Sequence, residues 1–98
     1  MNIQAMMKQA QALQKDMLKI KSEIDNSEFV GENAMIKIVI KGTKEIVDVI
    51  LKVNDALDKD DLEMLQDMIK SAYNEAAKKV DEVTEKKMGK FGNIPGLF

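Results

Sequence analysis

The chain has no cysteine, histidine, tryptophan or arginine, and only one proline and one tyrosine in 98 residues. Without cysteine there is neither a disulfide framework nor a thiolate metal site, and the sequence suits a reducing compartment. Without His or Cys, the groups most used for proton transfer at neutral pH and for thiol chemistry are missing. Only carboxylates, lysines and Tyr73 remain, so an enzyme is not expected, nor is a cofactor, a metal or a small-molecule substrate. Without Arg there is no planar fork to read guanine, and any nucleic-acid binding by this chain should show little sequence preference. No apolar run approaches the ~20 residues of a membrane span. The N-terminus, with Gln4, Lys8, Gln9, Gln11 and Gln14, lacks the apolar block of a signal peptide. The expectation is a soluble cytoplasmic protein without a membrane partner.

What is present is organised around Ala34 to Val53. Met35 to Lys41 and Ile46 to Val53 are two β-branched segments split by a Lys-Gly-Thr-Lys turn, and they read as a hairpin. Ile36, Ile38 and Ile40 share one face of the first strand, and Met35, Lys37, Val39 and Lys41 the other. The second strand is apolar on much of both faces: Val47, Val49, Leu51 and Val53 on one, Ile46 and Ile50 on the other. The chain's helices could cover one side of such a hairpin, and the surplus points to self-association. Upstream, Glu28-Phe29-Val30 between turn residues adds a brief strand, with Gly31 permitting the reversal.

A helix is expected from an N-cap at Asn2 to about Asp25. Ile3, Met6, Ala10, Leu13, Met17, Ile20 and Ile24 alternate steps of three and four, the spacing of a coiled-coil seam, while Lys8, Lys15, Lys19 and Ser22 lie opposite. A second helix is expected from about Asp61 to Met88, with Leu62, Leu65, Ile69, Ala72, Ala76, Val80 and Val83 as its seam. Small residues at Ala72, Ala76 and Ala77 suggest close approach of another helix. Between Asn54 and Glu63 five acids stand against one Lys, but the calcium-loop pattern fails for want of its Gly and closing Glu. Helix initiation explains the acids, with Asp58 or Asp60 capping and Glu63 completing a box. Residues 1–88 are taken as one domain and 89–98 as a flexible tail.

Charge is distributed unevenly. No acid occurs from Met1 to Lys15 or from Lys86 to Phe98, whereas acids crowd toward the sheet. With the sheet at the inner ends of both helices, their outer ends should be basic tips in a chain of net charge -2. Helix amides at the N-terminus add partial positive charge that favours phosphate.

Met7-Lys8-Gln9-Ala10-Gln11 in the first helix, Val39 to Gly42 at the strand end, Ala72-Tyr73-Asn74-Glu75-Ala76 and Lys86-Lys87-Met88 in the last helix, and the late Pro95-Gly96 recur in order over nearly the whole chain. In these residues the chain resembles the YbaB/EbfC family of bacterial nucleoid-associated proteins. The resemblance implies an α+β fold with a long N-terminal helix, a short antiparallel three-stranded meander and a long C-terminal helix. It also implies a homodimer joined through its β regions, whose projecting helices bind double-stranded DNA with weak or variable sequence preference. The residues that would carry that activity here are Lys8, Lys15 and Lys19 on the first helix and Lys78, Lys79, Lys86, Lys87 and Lys90 toward the C-terminus. Lys78 and Lys79 stand where relatives commonly carry Arg. The competing expectation is a helical protein-interaction module, since helix, hairpin and helix is also the layout of prefoldin-type chaperone subunits. Met6, Met7, Met17, Met64 and Met68 would suit an adaptable apolar surface.

Overall fold

In the computed structural model, which describes residues 2–89, the order of elements is α1 (Ile3–Asn26), β1 (Glu28–Glu32), β2 (Ile36–Lys41), β3 (Ile46–Leu51) and α2 (Lys59–Met88). The strands form one antiparallel sheet in the order β1-β2-β3, an α+β arrangement as expected.

Local chemistry explains the boundaries. The Asn2 side chain accepts from the Ala5 amide at 3.2 Å and starts α1. At the other end Asn26 and Ser27 donate back to the carbonyls of Ser22 and Glu23, and the chain leaves in extended conformation. Before α2, Asp58 and Asp61 cap each other's amides reciprocally, at 2.9 and 3.0 Å. The capping box therefore lies two residues earlier than the Asp60 and Glu63 pairing, and the helix starts at Lys59 rather than Asp61. Asn33 shapes the first turn: its Oδ1 accepts from the Met35 and Ile36 amides, and its Nδ2 donates to the Met68 carbonyl at 2.9 Å. In the second turn Lys44 takes a positive φ of 73°. The Tyr73 hydroxyl donates to its carbonyl, and its Nζ meets Asp81 at 3.0 Å.

Two clusters make the core. Ile36, Ile38 and Ile40 are fully buried against Ala72, Ala76 and Val80 of α2. Met17 and Ile24 of α1 pack with Met88, flanked by Leu13, Ile20 and Val83; Phe29 touches both clusters. The alanines receive a strand, not a helix. A Cβ on Gly31 would stand 1.7 Å from the Ala72 carbonyl oxygen, so β1 backbone lies directly on α2 where both surfaces are small. Gly42 likewise meets the Ile24 carbonyl, which seats the end of α1.

The sheet accordingly crosses the middle of α2 rather than its inner end. The Asn33 turn is bonded at Met68 and the Lys44 turn at Asp81, and α2 continues past the sheet on both sides. α1 runs back antiparallel along the far part of α2, with Met17 against Met88, and its outer residues from Ile3 to Gln11 pack on no other element among the described residues. The overall extents of 71 × 19 × 15 Å reflect that offset. α2 covers β1 and β2 but not β3, whose residues are exposed from Ile46 to Leu51. A register shift at Val39/Ile40 lets Ile46 pair with Ile40, so Ile46, Val49 and Leu51 stand beside the buried isoleucines yet outside their cover.

Candidate nucleic-acid interface

The outer part of α1 is a bare helix. From Ile3 to Gln11 every residue is exposed, and helix periodicity puts Gln4, Lys8, Gln11 and Lys15 in one row opposite the apolar seam. Lys8 and Lys15 are two turns apart, about 10.5 Å along the axis. The first four amides of α1 add positive character, and only Ala5 among them is met by the Asn2 side chain. A shallow hollow of about 490 Å³ lies along this end, lined by Asn2, Gln4, Ala5, Met7, Lys8 and Gln11. Its amide groups can bond phosphate, sugar or base edges without adding charge.

Because Met17 packs on Met88, the α1 lysines and those of the last turn of α2 come to the same level of the long axis. Lys15 and Lys19 lie one turn apart near Met17, and Lys86 and Lys87 immediately precede Met88; all four are exposed. Lys8 extends the basic region about 13 Å farther out. Lys78 and Lys79 lie lower, beside the sheet, and they differ. Lys79 donates to the Val30 carbonyl at 2.7 Å and lies 3.4 Å from Glu75, which ties it to the edge of β1. Lys78 is exposed. Lys90 and the expected tail beyond Gly89 fall outside the described residues.

Three further lysines are neutralised locally. Lys21 meets Asp25, Lys44 meets Asp81 and Lys52 meets Glu32, at 2.9, 3.0 and 2.9 Å. The hydrogen bond and charge of Lys52 hold the Glu32 carboxyl below its ordinary value. Among the described residues Lys21, Lys44, Lys52 and Lys79 each meet an acid, and Lys8 and Lys15 of the α1 row do not. The sequence offers Gln4, Gln9, Gln11 and Gln14 equally to phosphate or sugar and to water; the structure leaves all four exposed and puts Gln4 and Gln11 in the Lys8 row. Among the described residues no group of His, Cys, Asp and Glu could hold a metal ion, and no helix is long and apolar enough to cross a membrane.

Comparison with known proteins gives a consistent result. A family model described as the YbaB/EbfC DNA-binding family matches residues 1–94. A nucleoid-associated protein of Ligilactobacillus salivarius is 44% identical over 100 residues, covering 99% of this chain and 95% of that protein. Nucleoid-associated proteins of Pelotomaculum thermopropionicum and Exiguobacterium sibiricum are each 45% identical over 102 residues, covering 99% of this chain and 96% and 95% of theirs.

Proposed function

The chain belongs to the YbaB/EbfC DNA-binding family, and on that premise we propose that it is a dimeric nucleoid-associated protein of the cytoplasm, gripping duplex DNA by lysine-rich helix ends. The observation that carries the reading is the outer half of α1. It is exposed, it has Lys8 and Lys15 in one row, and no acid precedes Asp16. Lys19, Lys86 and Lys87 continue the basic region inward, and Lys78, Lys79 and Lys90 are its outlying members. Residues 1–88 serve as the binding domain. Binding is electrostatic, and without Arg it distinguishes poorly between sequences; the consequence for the cell is an effect on nucleoid organisation and gene expression rather than control of one site.

Dimerisation is supported by β3. An edge strand exposed on both faces, with Ile46, Val47, Val49, Ile50 and Leu51 uncovered, is an aggregation hazard unless a second copy covers it. Leu62, Met64 and Ile69 on the near part of α2 are exposed as well and enlarge the apolar surface. A dimer joined there puts the acids of the α2 start near its centre and sends the basic arms outward.

The test is fluorescence anisotropy of labelled duplexes titrated with protein at several salt concentrations. The logarithm of affinity should fall linearly with log salt, and unrelated sequences should bind alike. Lys8→Glu with Lys15→Glu should flatten the slope by about two and weaken all duplexes equally, with the far-UV helix signal unchanged. No binding at low salt would sink the reading in favour of a protein-binding module, for which Met6 and Met7 are suitably exposed. A preference of about a thousandfold for one sequence would refute the low specificity.

A further inference from the structure

The two outer edges of the sheet, those of β1 and β3, are treated differently. Beside β1, Ser27 accepts from the Gly42 amide and Asn33 donates to the Ile36 carbonyl, so these residues turn their polar groups toward β2. Alternation along the strand turns Phe29 and Gly31 the same way, and leaves the amides and carbonyls of Glu28, Val30 and Glu32 facing out. Two of those outward groups are already taken. Lys79 of α2 donates from Nζ to the Val30 carbonyl at 2.7 Å, and Glu75, one turn earlier, accepts from the Glu32 amide on Oε2 at 3.4 Å. The other carboxylate oxygen of Glu75 lies 3.4 Å from the Lys79 Nζ, which closes a chain of contacts from Val30 to Glu32.

An added strand would bring to this place a donor for Val30 and an acceptor for Glu32. The pair on α2 supplies both. Between them Gly31 lies against the α2 backbone, with Ala72 and Ala76 where a Cβ would stand, so the helix also sits over this strand. The edge of β3 has no such cover. Val49 and Leu51 face out there, by alternation from Lys52, whose amide donates to the Met35 carbonyl. Among the described residues the Val49 amide meets the carboxylate of its own neighbour Asp48, at 2.9 Å, a group that belongs to the strand itself and can turn to solvent.

We propose that Glu75 and Lys79 guard the edge of β1: they occupy the place of a fourth strand, so that a second copy can join the sheet only at β3. The consequence for assembly rests on the β3 contact proposed above. Two copies joined there end in two guarded edges, and growth stops at the pair. Without the guard each pair carries two open edges, the condition for open-ended addition of sheets. Stability does not account for the two side chains, since both are about half exposed and such ion pairs contribute little. Their effect is on which edge is available.

The experiment compares the full chain with a variant carrying Glu75→Ala and Lys79→Ala, which removes one charge of each sign and leaves the net charge unchanged. In sedimentation velocity from low to high micromolar concentration, the unaltered chain should give nothing larger than a dimer. The double variant should give a series of larger species that grows with concentration, at a nearly unchanged urea midpoint. Amide exchange locates the joint. The Glu32 amide should exchange severalfold faster in dilute Glu75→Ala, and the outward Val30 amide should become protected in the larger species. Lys79→Arg, which keeps a donor, should sediment like the unaltered chain. A double variant that stays at the original size would overturn the proposal, as would larger species in which the Val30 amide exchanges as before. An unaltered chain that remains monomeric throughout would remove the β3 reading alone; the guard is then upheld by a double variant that pairs through β1 and overturned by one that does not.

Discussion

Along α1 the spacing of apolar residues is the same from Ile3 to Ile24, yet Met17 and Ile24 are buried whereas Ile3 and Met6 are more than half exposed. The inner half lies against α2 and the Gly42 turn; the outer half extends past Met88 into solvent. Charge changes in the same direction. Lys21 of the inner half and Lys44 and Lys52 of the waist are ion-paired with Asp25, Asp81 and Glu32, and the outer half has lysine without acid. Periodicity therefore establishes that a helix exists and which side is apolar, while the length of the neighbouring element decides whether that side is core or contact surface. One helix serves as a structural wall at one end and as an arm at the other.

Substitutions should separate the two regions sharply. The largest effect is expected at Gly31→Ala, because the new Cβ would stand 1.7 Å from the Ala72 carbonyl and α2 must lift from the sheet. A loss above about 4 kcal/mol is expected, in the range reserved for severe defects, leaving little cooperative transition in urea melts followed by circular dichroism. An unchanged midpoint would mean that the waist is not packed as described. Next, Ile38→Ala empties a fully buried site and should cost about 3 kcal/mol, whereas Met6→Ala on the arm should change stability by less than about 0.5 kcal/mol. Equal costs at the two positions would erase the distinction between wall and arm.

The smallest effect is electrostatic. Glu32 titrates below its ordinary value of 4.5, first because Lys52 donates a hydrogen bond to it and second because of the lysine charge. A depressed carboxyl stabilises the fold above its unfolded value, and the contribution is lost as pH falls through the folded one. Lys52→Met should return the Glu32 carboxyl shift in an NMR titration to the ordinary range and remove that part of the acid sensitivity. A Glu32 midpoint that stays low in the variant would point to a different cause.

Much of this was legible in the chain. The limits of α1, the three strands, the buried row of Ile36, Ile38 and Ile40, and the surplus apolar surface of β3 all follow from local period and turn chemistry. What was not legible depends on pairs remote in sequence. That Ala72 and Ala76 accept the backbone of Gly31 rather than a helix requires knowing which element crosses there, and small residues suit either. The sheet sits midway along α2 for the same reason, and the Asp58 box differs from the expected one because several nearby acids could cap. Among the candidate contact residues, the sequence gives the position of each lysine but not its company: Lys79 is tied to Val30, and Lys78 beside it is exposed.

The contact of Met17 and Ile24 with Met88 also sets an order in time. Synthesis runs from the N-terminus, so α1 is made before the sheet and α2, and its inner seam has no wall to rest on until the last turn of α2 exists. The meander can close on its own neighbours as it emerges, but the groove that seats α1 is completed only with the last turn of α2. α1 is thus made before the sheet and docked only after α2, and its apolar side is left to solvent or to helper proteins while the elements between them are made.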